Sequence, residues 1–87
     1  MFTNEEQIAA MVAINSSYSS SIEELNSKSI GTFRAIQHEM LVAMQNGDKE
    51  KAIELLQAQM AAAYSFSNEY MELANKCAGQ LSEIMGA

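Results

Sequence analysis

Few residues in this chain could do chemistry, and none has the company that chemistry needs. His38 is the single histidine. An imidazole can act as base or metal ligand, but His38 stands beside Glu39 in a polar stretch and reads as a surface helix residue. Cys77 is the single cysteine. A reactive thiol requires electropositive surroundings, and only Lys76 is adjacent, so Cys77 reads as a small hydrophobe. Carboxylates pair at Glu5/Glu6, Glu23/Glu24 and Glu69/Glu72. A carboxylate-bridged metal pair in a helical bundle would need Glu-x-x-His elements, and no histidine stands three residues after a glutamate. Glu50 and Glu54 with Lys49 and Lys51 read as surface charge at a helix start. There is no glycine-rich phosphate loop and no Cys/His cluster at metal-ligand spacing. The sequence therefore assigns no catalytic, metal-binding or cofactor-binding residue and predicts a protein that is not an enzyme.

Composition narrows the class further. With 87 residues the chain makes one domain, spanning 1–87. A domain this small buries only about 60% of the surface its unfolded chain exposes. Proline is absent, which removes the strongest helix breaker from the whole length. Methionine occurs seven times. It favours helices and fills irregular contacts with a flexible side chain. The formal net charge is −6, and the five basic residues, Lys28, Arg34, Lys49, Lys51 and Lys76, are scattered. That pattern gives no cationic patch for nucleic acid or for anionic lipid. One cysteine allows no internal disulfide. The acidic start, Thr3-Asn4-Glu5-Glu6, is unlike the basic leader of a secretory signal. No apolar run approaches the ~20 residues of a membrane span. The expectation is synthesis in a bacterial cytoplasm without a cleavable signal.

The strongest punctuation is Asn46-Gly47-Asp48. Asn46 and Gly47 tolerate the left-handed backbone that closes a helix, so Gly47 suits the position just past a helix end. Asp48 can then cap the next helix by accepting a backbone N–H. This predicts an all-α hairpin with helix one over about 4–45, the turn at 46–48 and helix two over about 49–85. Thr3 and Glu6 form a T-x-x-E capping pattern at the start of helix one. Its apolar stripe reads Met11, Ile14, Tyr18, Ile22, Leu25, Ser29, Phe33, Ile36, Met40, Met44. The mean spacing is about 3.67, close to an eleven-residue repeat that runs nearly straight along a helix. Ser16-Ser17-Tyr18-Ser19-Ser20-Ser21 reads as either a solvated helical stretch or a hinge. Gly31 is a second soft point.

Helix two carries an a/d seam with steps of three and four: Ile53, Leu56, Met60, Ala63, Ser67, Tyr70, Ala74, Cys77, Leu81, Ile84. Tyr64, Met71 and Met85 flank it on one side, Phe66 and Leu73 on the other. This apolar face is wider than one partner helix covers. Two rods of about 55–60 Å at 1.5 Å per residue would pack seam to seam and leave the flanks open. Exposed apolar stripes of that extent mark interaction surfaces. The expected association residues are Ile53, Leu56, Met60, Tyr64, Phe66, Tyr70, Met71, Leu73, Leu81 and Ile84 on helix two. Tyr18, Ile22, Phe33 and Ile36 join them from helix one. The expected partner is a further copy of the chain or another helical protein.

Helix two resembles the C-terminal helix of type III secretion needle and inner-rod subunits. The resemblance rests on the polar turn and helix start from Lys49 to Gln57, then on Met60, Tyr64, Phe66, Leu73-Ala74-Asn75-Lys76, Leu81, Ile84 and Met85. It covers about forty residues. It implies a self-assembling structural subunit exported without a cleaved leader, with helix two facing the assembly axis. The family's Asp-Pro or Asn-Pro before this helix is here Asp48-Lys49, and its polar C-terminal tail is here Gly86-Ala87. A second resemblance, over Asn26–Leu41 and Glu69–Ala74, is to phasins, the amphipathic helical proteins that coat polyester storage granules. It implies a cytoplasmic binding module on a hydrophobic granule surface; a small helical chaperone or adaptor is of the same class.

Overall fold

The computed structural model describes residues 2–86. Two helices, α1 (Asn4–Gln45) and α2 (Lys49–Gly86), form an antiparallel hairpin, with no strand among the described residues. Each boundary has a local chemical cause. The Glu6 N–H donates to Thr3 Oγ1 at 3.2 Å, and Glu5 and Glu6 place negative charge in the first turn of α1, where the helix dipole is positive. At the other end Gly47 takes φ +68°. Its N–H donates to the Met44 carbonyl at 3.1 Å, and the Asp48 N–H donates to the Ala43 carbonyl at 2.8 Å. This pair of bonds is the Schellman closure, which satisfies carbonyls the helix would otherwise leave open. Asp48 thus donates to the old helix and caps the new one: its Oδ1 accepts from the Lys51 N–H at 3.1 Å. Every backbone N–H of the three-residue turn is therefore bonded, and the turn fixes α2 alongside α1.

The serine-rich stretch is continuous helix within α1. Tyr18 and Ser21 turn toward α2 while Ser16, Ser17, Ser19 and Ser20 face water. Tertiary packing of one face, rather than intrinsic propensity, holds such a segment helical.

Along α1 the side chains turned to α2 include Ile14, Tyr18, Ile22, Leu25, Ser29, Phe33, Ile36, Met40 and Ala43. This is the stripe expected from sequence, except at its ends. Met44 is exposed and Ala43 is buried in its place; Met11 is also exposed. Adjacent residues lie about 100° apart around a helix, so Ala43 facing α2 turns Met44 out to water.

The seam of α2 is corrected more substantially. Its inward residues are Ala52, Leu55, Gln59, Ala62, Phe66, Tyr70, Leu73, Cys77 and Ile84. In the first half of the helix this lies one residue before the predicted seam. Ile53, Leu56 and Met60 are 47%, 51% and 53% exposed. Phe66, expected on an open flank, is 8% exposed. One residue is about 100° of rotation on a helix, so the shift exchanges which side chains meet α1. Two fixed points decide it. Phe66 packs against Phe33 with ring centroids 5.8 Å apart, and the Tyr70 hydroxyl donates to Asn26 Oδ1. In the second half the predicted and observed seams coincide at Tyr70, Cys77 and Ile84. Leu81 lies at the exposed margin.

The hairpin is long and thin, with extents of 65 × 17 × 7 Å through its Cα atoms. It is a single layer of helices. Leu25, Ala43, Leu55, Phe66 and Ile84 are the buried apolar side chains, and none of the described residues is completely enclosed. Ser29, buried among them, directs its hydroxyl to the Asn26 carbonyl at 3.0 Å, so its polar atom is satisfied on its own helix.

Candidate interaction surface

A single-layer hairpin has two broad faces, and in this chain they differ completely in chemistry. Side chains three, four, seven, eight and eleven positions apart share a helix face, so a few contacts orient the whole ribbon. On one face, Lys28 pairs with Glu69 at 3.6 Å. An open groove beside them is lined by Glu24, Glu72 and Lys76. Toward the turn the same face carries His38, Glu39, Asp48 and Lys51. The helical repeat adds Glu6, Glu54 and Glu83.

The opposite face is marked by a groove over Phe33, Ala63, Ser67, Tyr70 and Met71. The repeat extends it along α1 through Ile8, Met11, Ile22, Ile30, Leu41 and Met44. On α2 it runs through Leu56, Met60, Ala74, Ala78, Leu81 and Met85. Of these, Ile8, Met11, Ile30, Leu41, Met44, Leu56, Met60, Met71, Leu81 and Met85 are exposed. Its polar members are neutral: Asn15, Ser19, Asn26, Gln37, Ser67. Between Leu56 and Met85 helical spacing places no charged residue on it, and on α1 the charges it meets are Glu23, in register with Leu41, and Arg34, one turn from Ile30, of opposite sign. Glu23 and Arg34 lie at the outer edge of α1, and Ile53 and Tyr64 at the outer edge of α2. Tyr64 is 76% exposed.

The predicted association residues therefore fall into two groups. Tyr18, Ile22, Phe33, Ile36, Phe66, Tyr70, Leu73 and Ile84 are wholly or partly used in holding α1 to α2. Ile53, Leu56, Met60, Tyr64, Met71 and Leu81 are left outside. Sequence reasoning missed the α1 half of the face, Ile8, Ile30 and Leu41. The signal was present: positions 8, 19, 30 and 41 are eleven apart, and three of the four are apolar. They were hidden because they sit beside the stripe that meets α2.

The remaining candidates for chemistry stay apart. His38 is exposed. Cys77 is half-buried against Ser17 and Tyr18. Among the described residues no group of acidic, histidine or cysteine side chains is placed to hold a metal. Neither helix, over the described residues, is long and apolar enough to cross a membrane. Comparison with protein-family models, with curated proteins and with solved structures found no match.

Proposed function

We propose that this chain is a non-enzymatic amphipathic binding module that lays its apolar face on an apolar surface and presents its charged face to water. The observation that carries this reading is the segregation of charge. Glu24, Lys28, Glu69, Glu72 and Lys76 gather on one side of a ribbon one helix thick, and the other side offers methionine, isoleucine, leucine and phenylalanine. A body of this form lowers the free energy of a water–hydrocarbon boundary by covering it, at roughly 25 cal/mol per Å² of apolar area removed from water. The methionines suit an irregular surface, because their flexible side chains adapt to it. The phasin resemblance gives the concrete form: a cytoplasmic protein on the surface of a polyester granule. The net charge of −6 would then keep coated particles apart.

The test is partition onto dispersed polyester particles, with hydrophilic silica as control. The protein should be depleted from solution by the polyester and released by detergent but not by salt. Equal binding to silica, or release by salt, would assign the interaction to charge and end this reading.

A second reading, a self-assembling structural subunit resembling needle or rod components and exported to the cell surface, is favoured by a different observation. Ile53, Leu56, Met60, Ala63 and Ser67 keep the three-four spacing of a helix-packing seam, and the hairpin leaves them outside. Electron microscopy of concentrated protein tests it: filaments support it, and their absence at any concentration counts against it.

A further inference from the structure

We infer that in water, away from any hydrophobic particle, the apolar face is closed by a second copy of the same chain, giving a two-fold dimer in the form of a four-helix bundle. The inference rests on the face identified above, but it makes a separate claim about what covers that face in solution.

Surface area supplies the first argument. The hairpin exposes 6538 Å². A compact monomer of its mass, 9.5 kDa, would expose about 5,000 Å² by the usual scaling. The surplus is on the order of 1,500 Å² per chain, about twice the ~800 Å² per partner that a standard stable interface buries. A single layer with this surplus resembles half of a bundle rather than a finished domain.

The second argument is the scarcity of charge. Closing two copies of a face that carried carboxylates would strand like charges in a desolvated interface, at a cost of several kcal/mol. Here helical spacing keeps the acidic residues of α2 off the face between Leu56 and Met85, and on α1 it leaves Glu23 and Arg34, of opposite sign, on the outer side of the face beside Ile30 and Leu41. The neutral Asn15, Asn26 and Gln37 are the most polar groups to be covered, and Asn26 already accepts a bond from Tyr70.

Shape supplies the third. Large side chains, Ile22, Ile30 and Phe33, lie along the middle of the α1 half of the face. Small ones, Ala63, Ser67 and Ala74, lie at the same heights on the α2 half, as the Phe33–Phe66 and Asn26–Tyr70 contacts fix. A two-fold axis along the ribbon seats the α1 of one protomer over the α2 of its partner, large on small. The face is therefore complementary to itself, which is what an isologous interface requires. The three-four spacing of Leu56, Met60, Ala63 and Ser67 is the spacing of bundle packing.

Sedimentation equilibrium over a wide concentration range tests the proposal, with helix content followed by circular dichroism. The full chain should have twice the monomer mass at micromolar concentration. L56E/M60E should lose that mass, as a helical monomer or an unfolded chain. V42E, which adds one negative charge beside His38 and Glu39 on the opposite face, should keep it. A fully helical monomer at millimolar concentration would overturn the dimer. So would a dimer that survives L56E/M60E, or one lost equally with V42E. A helical monomer that still partitions onto polyester would refute the dimer and leave the surface-binding reading intact; a dimer that ignores polyester would do the reverse.

Discussion

The rings of Phe33 and Phe66 pack across the hairpin with centroids 5.8 Å apart and planes tilted by 59°. This contact joins the middle of α1 to the middle of α2 and sets the rotation of each helix about its own axis. A tilted aromatic pair contributes about 0.5–1.5 kcal/mol beyond the area it buries. With Lys28 lying 6.0 Å above the Phe66 ring, the charged face begins immediately on the other side of this contact.

Replacing Phe66 by alanine should therefore destabilise the hairpin by about 3 kcal/mol, the lower end of the range for buried aromatics, since the site is not fully enclosed. Val12, 63% exposed, is the control. Val12→Ala should change stability by no more than about 0.5 kcal/mol. Urea unfolding followed by circular dichroism measures both. Equal effects would mean that the rotation of the helices is not the one described.

The same substitution at two glycines should act with opposite sign. Gly31 lies inside α1, with open space where a Cβ would project, and Gly47 has equal room but φ +68°. Gly31→Ala should stabilise by about 1 kcal/mol through helix propensity alone. Gly47→Ala should destabilise by about 1 kcal/mol, because an L side chain at left-handed φ is strained. For a domain of this size each corresponds to a shift of about 4–8 °C in Tm. Two shifts of the same sign would contradict the turn geometry.

The Lys28–Glu69 pair should matter little to stability. Its side chains are 65% and 39% exposed at 3.6 Å, so solvent screens most of the attraction, and measured pairs of this kind contribute about 0.2–1 kcal/mol. Lys28→Gln should lower Tm by only a few degrees, and added salt should shrink the difference between variant and parent. A loss comparable to that of Phe66→Ala would show that the charged face carries structural weight not evident from its exposure.

The sequence was most informative where a single residue type leaves the backbone little choice. Gly47 next to Asp48 dictates a left-handed closure followed by a cap, and both bonds form where the residue types place them. Thr3 is equally local. The α1 stripe from Ile14 to Met40 was legible because one apolar side chain recurs per turn with little competition beside it. On α2 the competition is intense. Leu55 and Leu56, Ala62 and Ala63, and Phe66 and Ser67 offer adjacent registers that periodicity alone separates poorly, and the steadier alternation of three and four pointed to the outer one.

The chain by itself thus determined two helices, where they begin and end, and the short turn that makes them antiparallel, because capping, glycine conformation and the lack of proline act within a few residues; that α1 runs unbroken through Ser16–Ser21 was decided by its packing on α2. Only the tertiary structure decided which stripe of α2 is spent on α1, because that choice compares packing energies between segments distant in sequence. Phe66 against Phe33 and Tyr70 against Asn26 settle it. With those contacts made, the second stripe, Leu56, Met60 and Met71, comes to lie on the same side as Ile30 and Leu41 of α1. Two moderately amphipathic helices become one ribbon with a broad apolar face, a property that belongs to neither helix alone.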